Sequence, residues 1–238
     1  IGAATAILGA KAGYAVVVNY ASNREAAEKV VAAIAADGGS AVAVKGDVGI
    51  EADILSIFEA ADALGTLTAL VNNAGVVDAA LPLAEMSAAR IERMFRINVT
   101  GSLLCAREAV RRMATSRGGK GGGIVNVSSV AAKLGGPGQY LDYAASKGAI
   151  DSFTVGLAKE VIDEGIRVGA VRPGIIDTDI HASGGQPDRV AELSPGLPMR
   201  RAGTAEEVAK AILWLLSDEA SYSTGAIIDV SGARSILP

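Results

Sequence analysis

The sequence predicts an α/β fold with a doubly wound parallel sheet, in which a layer of strands lies between two layers of helices. Short apolar runs alternate with amphipathic helical segments along the chain. The apolar runs are rich in β-branched residues and lack polar alternation, which is typical of strands buried on both faces of a parallel sheet. Strands and helices that alternate at this spacing form right-handed crossovers. We therefore expect a single domain over residues 1–238.

The predicted elements follow in order along the chain. The predicted helices cover residues 2–12, 23–37, 51–64, 87–116, 140–164 and 204–217. The predicted strands cover residues 14–19, 41–45, 69–73, 124–128, 168–171 and 226–230. Gly13 is a plausible end for the first helix, and Asn23 a suitable N-cap for the second. The longest irregular region, about 174–203, is expected to form a lid and substrate loop, because long loops in compact domains are usually functional.

Composition excludes several classes of function. Half of the 238 residues are hydrophobic and a fifth are charged, so the chain can bury a sizeable core. A net charge of −4 gives no indication of a nucleic-acid or membrane partner, and no apolar stretch is long enough to span a bilayer. No signal peptide is visible. The single cysteine, Cys105, suits a reducing compartment, so we expect a cytoplasmic protein; the single histidine, His181, makes a metal site unexpected.

Tyr143 and Lys147 are four residues apart on the predicted helix 140–164 and so share one of its faces. A cation beside a phenol lowers the pKa of the tyrosine towards the working pH. A general acid/base for alcohol–carbonyl interconversion needs this property. The spacing by itself also fits an exposed helix pair.

Three polar or turn-forming clusters follow three predicted strands. Ser129 follows strand 124–128, Asn72 to Gly75 form an Asn-Asn-Ala-Gly segment at the end of another strand, and Pro173-Gly174 follows a third. Each cluster by itself also fits an ordinary turn. Because the carboxyl ends of parallel strands meet at one edge, where ligands of open α/β sheets bind, the three clusters predict one crevice beside Tyr143.

These segments resemble the short-chain dehydrogenase/reductase family. The chain contains V-N-N-A-G at 71–75, N-V-T-G at 98–101, I-V-N-V-S-S at 124–129, Y-A-A-S-K at 143–147 and V-R-P-G at 171–174. They occur in the family's order and approximate spacing, and the resemblance covers essentially the whole chain. The runs Y-L-D-Y-A-A-S-K-G-A-I-D and D-T-D-I-H-A-S-G-G are similar to an uncharacterised bacterial branch often labelled glucose-dehydrogenase-like.

The resemblance implies a Rossmann-like fold, a nicotinamide cofactor and a catalytic set of four residues. Tyr143 would exchange the proton of the substrate hydroxyl, and Lys147 would hold the nicotinamide ribose and lower the tyrosine pKa. Ser129, rather than Ser128, would hydrogen-bond the substrate oxygen. Asn98 would bend its helix and anchor a water molecule in the proton relay. Helices near 87–116 and 140–164 would pair between subunits of a homotetramer or homodimer.

The choice between NADP and NAD depends on the end of the second strand of such a domain, where an acidic residue selects NAD. The segment from Asn19 to Arg24 has no acidic residue, and Ser22 and Arg24 could accept a 2′-phosphate, which favours NADP and leaves NAD possible. Arg24 also fits a solvated first-turn residue. The expected cofactor-binding residues are Gly2, Asn19, Ser22, Arg24, Asp47, Val48, Asn72, Ala74, Gly75, Tyr143, Lys147, Pro173, Gly174, Ile176 and Thr178.

A strand and a glycine-rich loop normally precede the first helix of such a domain. Here the first predicted helix begins at residue 2, and only Gly2 could belong to the loop. We therefore expect that the domain in this sequence is incomplete at its N-terminus.

Three functions stay open. The leading one is an NADP(H)-dependent dehydrogenase or carbonyl reductase acting on a small-molecule alcohol or carbonyl substrate. The second is a glucose or other sugar 1-dehydrogenase, and the third a non-catalytic nucleotide-sensing protein. Among single residues, Cys105 is expected to pack in the core, and His181 to touch substrate or lie on the surface. The arginines of the predicted helix 87–116, at 90, 93, 96, 107, 111 and 112, are expected to form a solvated face.

Overall fold

Parallel strands and helices alternate along the chain, as the sequence predicts. The computed structural model describes residues 1–236, and Leu237 and Pro238 of the predicted 1–238 domain lie outside the described residues. The strands are β1 Val16–Tyr20, β2 Ala41–Lys45, β3 Ala69–Asn72, β4 Gly122–Val127, β5 Ile166–Pro173 and β6 Ile227–Val230. The helices are α1 Gly2–Lys11, α2 Arg24–Ala36, α3 Glu51–Leu64, α4 Ala88–Phe95, α5 Ser102–Met113, α6 Ala131–Leu134, α7 Leu141–Glu160, α8 Ile180–Ser183, α9 Arg189–Leu193 and α10 Ala205–Leu216.

All strand pairs are parallel, and they form two sheets. One sheet pairs β1 with β2, and the other has the order β3-β4-β5-β6. Leu70 of β3 lies opposite Ile124 of β4, which lies opposite Val168 of β5. The order β3-β4-β5-β6 follows the chain, as in one half of a doubly wound sheet. The carboxyl ends of β3, β4 and β5 therefore lie side by side.

Helices cover both faces of the four-stranded sheet. Neighbouring residues of a strand point to opposite faces. Ile124 and Val168 accordingly belong to a core that includes residues of α3, α5 and α7, whereas Val125 and Val171 belong to a second core with residues of α10. This arrangement confirms the predicted three layers. Within residues 1–236, none of the helices combines the length and the apolar character that a membrane span requires.

The predicted helix 87–116 is not one regular helix. Ser87 caps α4 by accepting a hydrogen bond from the backbone N–H of Arg90 at 3.2 Å, and a π-helical segment, Arg96–Gly101, separates α4 from α5. Helix α5 ends at Met113, and the following residues form a 3₁₀ turn. The backbone at Gly101 packs so closely that an added Cβ would lie 2.6 Å from the carbonyl oxygen of Val48. The predicted long helix is therefore present over 88–113 but contains a π turn that was not predicted, and π turns of this kind are frequent at functional sites.

The segment 174–203 contains more regular structure than the sequence predicts. It includes α8, α9 and a 3₁₀ turn. Its ends are joined, because the backbone N–H of Gly203 donates to the carbonyl of Ile175 and the N–H of Asp177 donates to the carbonyl of Gly203, both at 2.9 Å. The segment is thus held at its base and extends from the edge of the sheet.

Candidate active site

A cavity lies at the carboxyl edge of the four-stranded sheet, where the sequence predicts a crevice. Its volume is about 390 Å³. Residues following β3, β4 and β5, together with the start of α7 and the segment 174–203, form its walls. Eight predicted site residues line it, namely Gly75, Ser129, Tyr143, Lys147, Pro173, Gly174, Ile176 and Thr178. The predicted convergence of the three strand ends with Tyr143 is therefore confirmed.

Helix α7 presents Tyr143 and Lys147 on one face. The ammonium group of Lys147 lies 5.6 Å from the centre of the Tyr143 ring, and it donates a hydrogen bond of 2.8 Å to the carbonyl of Val127 at the end of β4. The lysine is buried, so this bond replaces part of its lost hydration. Lys147 thereby ties this face of α7 to the end of β4.

Burial determines the protonation of both groups. Burial raises the pKa of Tyr143 above its ordinary value and outweighs the hydrogen bond with Ser129, which lowers it. Burial lowers the pKa of Lys147 to about 8, and the charge of Asp151 opposes that shift. The expected lowering of the tyrosine pKa by the lysine is wrong in this structure, because the charged form of each group loses its hydration inside the protein.

Ser128 and Ser129 both border the cavity, but their hydroxyl groups have different partners. The Ser128 hydroxyl is buried and donates to the carbonyl of Lys147 at 3.2 Å. The Ser129 hydroxyl accepts from the backbone N–H of Ala131 at 3.1 Å, and its interaction with the Tyr143 phenol lowers the pKa of that phenol. Ser129 is thus the serine adjacent to the phenol, in agreement with the sequence-based choice.

Asn98 lies within the π-helical segment and is fully buried. Its carboxamide oxygen accepts from the backbone N–H of Val76 at 2.8 Å, and its nitrogen donates to the carbonyl of Val76 at 3.0 Å and to the hydroxyl of Ser146 at 3.1 Å. The side chain therefore links the chain after β3 to α7, one residue before Lys147. It stands behind the wall of the cavity.

At the end of β3, the residues that line the cavity differ from those predicted. The side chain of Asn72 is buried and donates to the carbonyl of Ser102 at 3.1 Å and to the side chain of Asn126 at 2.9 Å, so it joins β3 to neighbouring elements. Ala74 packs against the core. Neither lines the cavity, whereas Asn73, which was not predicted, does. Gly2 starts α1 beside Asn73, since a Cβ added there would lie 2.5 Å from the Asn73 amide nitrogen.

Five predicted cofactor residues lie at the ends of β1 and β2, and none of them lines the cavity. These residues are Asn19, Ser22, Arg24, Asp47 and Val48. The Asn19 side chain donates to the carbonyls of residues 44 and 46 at 3.2 and 2.9 Å, and the Asp47 carboxylate accepts from the N–H of residue 49 at 2.8 Å. Ser22 and Arg24 are exposed, and Val48 is buried. The side chains of Asn19 and Asp47 thus stabilise the turns that follow their strands.

Arg90 and Asp142 form a buried ion pair that sequence reasoning missed. Their side chains are 8% and 1% exposed, and the guanidinium binds the carboxylate through Nε at 2.8 Å and Nη2 at 3.2 Å. A third donor, Nη1, binds the carbonyl of Ala79 at 2.6 Å. The carboxylate also accepts from the backbone N–H of Tyr143 at 2.9 Å. The expected solvated arginine face is therefore wrong at Arg90, which anchors the start of α7.

Two single residues are placed as expected. Cys105 is buried in α5, and burial raises the pKa of its thiol to about 12, so it packs in the core and is not a thiolate nucleophile. His181 lines the cavity, and its Nε2 lies 3.0 Å from the carbonyl oxygen of Ile176.

Comparison with known proteins identifies the family. A family model described as "Enoyl-(Acyl carrier protein) reductase" matches residues 1–233. An uncharacterised oxidoreductase of Escherichia coli K12, YgfF, is 53% identical over 98% of this chain and 95% of its own. Glucose 1-dehydrogenase 2 of Bacillus subtilis is 37% identical over 94% and 86% of the two chains. A short-chain dehydrogenase/reductase structure from Serratia marcescens superposes with a TM-score of 0.89 at 31% identity, covering 99% of this chain and 93% of that one. The chain belongs to the short-chain dehydrogenase/reductase family and is an NAD(P)-dependent oxidoreductase.

Proposed function

We propose that the protein interconverts a small alcohol and the corresponding carbonyl compound with NADP(H). The observation that carries this proposal is the meeting of Ser129, Tyr143 and Lys147 in one cavity at the edge of the sheet. A hydroxyl, a phenol and an ammonium group at one place can donate a hydrogen bond and a proton to a carbonyl oxygen and stabilise the resulting charge.

The protonation of Tyr143 favours the direction of carbonyl reduction. Its raised pKa keeps the phenol protonated at neutral pH, so it can donate a proton to the substrate oxygen. Ser129 would hydrogen-bond the same oxygen, and the Lys147 ammonium would stabilise the phenolate that remains. In the direction of alcohol oxidation, the same phenol would first have to lose its proton, at a cost that burial increases.

The cavity suits a nicotinamide dinucleotide, which supplies the hydride when bound. None of the residues that line the cavity is acidic, so nothing in its walls repels the phosphates. We assign the ribose to Lys147 and the nicotinamide end to Pro173, Gly174, Ile176 and Thr178, as the family resemblance implies. The hydroxyl of Thr178 and the ammonium of Lys147 are donors that a ribose or a carboxamide can use.

We propose NADP rather than NAD as the preferred cofactor. The end of β1 has no carboxylate that would bind the 2′-hydroxyl of NAD and repel a 2′-phosphate. Arg24 is exposed, and its guanidinium donates to the carboxylate of Glu28 at 2.6 Å. A 2′-phosphate would compete with that carboxylate for the guanidinium, and the exposed hydroxyl of Ser22 would add a second donor.

A sugar 1-dehydrogenase is the second candidate, supported by the 37% identity to the Bacillus subtilis protein named glucose 1-dehydrogenase 2. A non-catalytic nucleotide sensor is the least supported of the three functions. Such a protein would have no use for the buried Lys147 beside Tyr143, since an unneeded buried lysine costs stability.

We further propose that residues 174–203 act as a lid and that the protein works in the cytoplasm as a homotetramer or homodimer. His181 and Arg189 of this segment line the cavity. Leu103 on α5 and Val155 on α7 are large hydrophobic side chains exposed by 38% and 39%, which suits the subunit contact expected on these helices. The reduced thiol of Cys105 suits the cytoplasm.

The test combines nucleotide binding with turnover. Purified protein is titrated with NADPH and NADH by cofactor fluorescence and then assayed with carbonyl compounds, and with glucose plus NADP⁺. Replacing Tyr143 by Phe removes the proton donor, so reduction should fall about a hundredfold or more while NADPH still binds. Tyr222→Phe, at a fully exposed tyrosine, is the matched control.

Each outcome of this test decides a separate point. Turnover that survives Tyr143→Phe would refute the assigned mechanism, and folded wild-type protein that binds neither nucleotide would refute the proposed function. Glucose-dependent reduction of NADP⁺ without carbonyl reduction would favour the sugar dehydrogenase.

A further inference from the structure

Two arginines line the same cavity as Tyr143. Arg189 is the first residue of α9, and Arg234 follows β6 four residues after its end. Both side chains are partly buried. They come from separate parts of the chain, so the cavity brings together two cations that no local pattern connects.

Among residues 1–236, the side-chain hydrogen bonds and the ring contact of Arg189 are with neutral groups. Its guanidinium lies 5.2 Å from the centre of the Tyr140 ring, and Nη1 donates to the side-chain oxygen of Gln139 at 3.2 Å and to that of Gln186. The stacking and the two carboxamides fix the position of the guanidinium and leave its charge uncompensated. Tyr140 and Gln139 immediately precede α7, so this cation is held close to the start of the catalytic helix.

Arg234 has even fewer contacts. Within residues 1–236, its guanidinium makes no hydrogen bond and no ion pair with a side chain. Burial and the neighbouring charge of Arg189 lower its pKa. Two cations that repel each other in a partly buried site destabilise the empty protein, and a bound anion would relieve this repulsion.

Several other arginines of the chain are paired with carboxylates. Arg90 binds Asp142, Arg172 binds Asp151, and Arg112 binds both Glu108 and Asp62. By contrast, none of the residues that line the cavity is acidic. The cavity therefore has a local excess of positive charge, although the whole chain has a net charge of −4.

We propose that the substrate carries a carboxylate or phosphate group, which binds between Arg189 and Arg234 while its carbonyl carbon lies beside Ser129 and Tyr143. This inference rests on the proposed function and adds the class of substrate to it. Guanidinium groups bind carboxylates and phosphates through paired hydrogen bonds, so two of them can both attract and orient such a substrate. The pyrophosphate of the cofactor is the other possible source of the anion, and the experiment distinguishes the two.

The experiment compares matched pairs of ketones that differ only in charge. Reduction by NADPH is measured for 4-oxopentanoate and its methyl ester, and for 3-oxobutanoate and its methyl ester. Two charge-assisted hydrogen bonds should give the wild-type enzyme a preference for the carboxylate of about tenfold or more in kcat/KM. Arg189→Gln and Arg234→Gln should each reduce this ratio towards one. Arg117→Gln, at an exposed arginine outside the cavity, should keep the ratio.

A second readout does not depend on turnover. Succinate is titrated calorimetrically into the protein with and without NADPH, and we expect binding that Arg189→Gln and Arg234→Gln abolish. Equal or better use of the ester, or absence of succinate binding, would overturn the proposal. It would also be overturned if the two variants lost affinity for NADPH and kept the preference for the carboxylate, since the arginines would then hold the cofactor. Wild-type protein that binds succinate but neither reduces ketones nor binds NADPH would contradict the proposed function alone.

Discussion

Replacing Arg90 by Met tests whether the buried ion pair holds the start of the catalytic helix. The substitution removes two hydrogen bonds to Asp142, at 2.8 and 3.2 Å, and one to the carbonyl of Ala79 at 2.6 Å. It leaves the carboxylate of Asp142 almost fully buried, with the backbone N–H of Tyr143 as its remaining hydrogen-bond donor among the described residues. Removing one partner of a buried pair costs about 3–5 kcal/mol, because the other charge stays buried without compensation.

The free energy of unfolding is measured by urea denaturation of Arg90→Met and of the double variant with Asp142→Asn. Because the double variant removes both charges, it should recover much of the lost stability. Glu51→Gln is the control, since it breaks an exposed ion pair with Arg107 and should leave the free energy of unfolding nearly unchanged. A loss below about 1 kcal/mol in Arg90→Met, or a double variant as unstable as the single one, would refute the reasoning.

Two further predictions concern the cofactor and the pH profile. Arg24→Gln should lower the ratio of kcat/KM for NADPH over NADH by about tenfold, because a phosphate contact is lost. Lys29→Gln, on the same helix, is the control and should keep the ratio. An unchanged ratio in Arg24→Gln would contradict the role of Arg24. The charge of Asp151 raises the pKa of Lys147, so Asp151→Asn should lower that pKa further below about 8. The alkaline decline of kcat/KM should then move to lower pH, whereas the control Asp163→Asn should leave the decline in place. A shift of the decline to higher pH would contradict the assignment.

The layers of the fold and the place of the candidate active site could be predicted because each depends on local patterns. Continuous apolar runs such as 124–127 identify buried strands, and the rule that parallel strands share one carboxyl edge places Ser129, Gly75 and Pro173 together. The structure confirms both inferences. Neither inference requires knowledge of which distant residues are in contact, since the chain order and the strand direction suffice.

The π turn at Asn98 could not be predicted from periodicity. A π turn inserts one residue into a helix, and the apolar pattern of 87–116 continues on both sides of it. The turn depends on contacts with distant residues: Gly101 packs against the backbone of Val48, and the carboxamide of Asn98 binds Val76 and Ser146. These contacts, which exist only in the folded protein, determine the local geometry.

The partners of the arginines could not be predicted from the sequence either. In the sequence, Arg90 has the same surroundings as the other arginines of its helix, so a solvated face is the natural expectation. Its partner Asp142 is 52 residues away, and only the packing of α4 against α7 brings the two charges together. Arg189 and Arg234 are likewise far apart in the sequence, and only the folded structure shows that they line one cavity.

The pKa values of Tyr143 and Lys147 depend on the surroundings of the pair as well as on its spacing. A cation lowers the pKa of a neighbouring phenol, but here burial disfavours the charged form of each group and has the largest effect. The pKa of Tyr143 therefore rises while that of Lys147 falls to about 8. An anion bound in the cavity would favour the charged lysine and disfavour the phenolate further. The phenol would then stay protonated beside a charged lysine, which is the state required for donating a proton to a carbonyl oxygen and stabilising the phenolate afterwards.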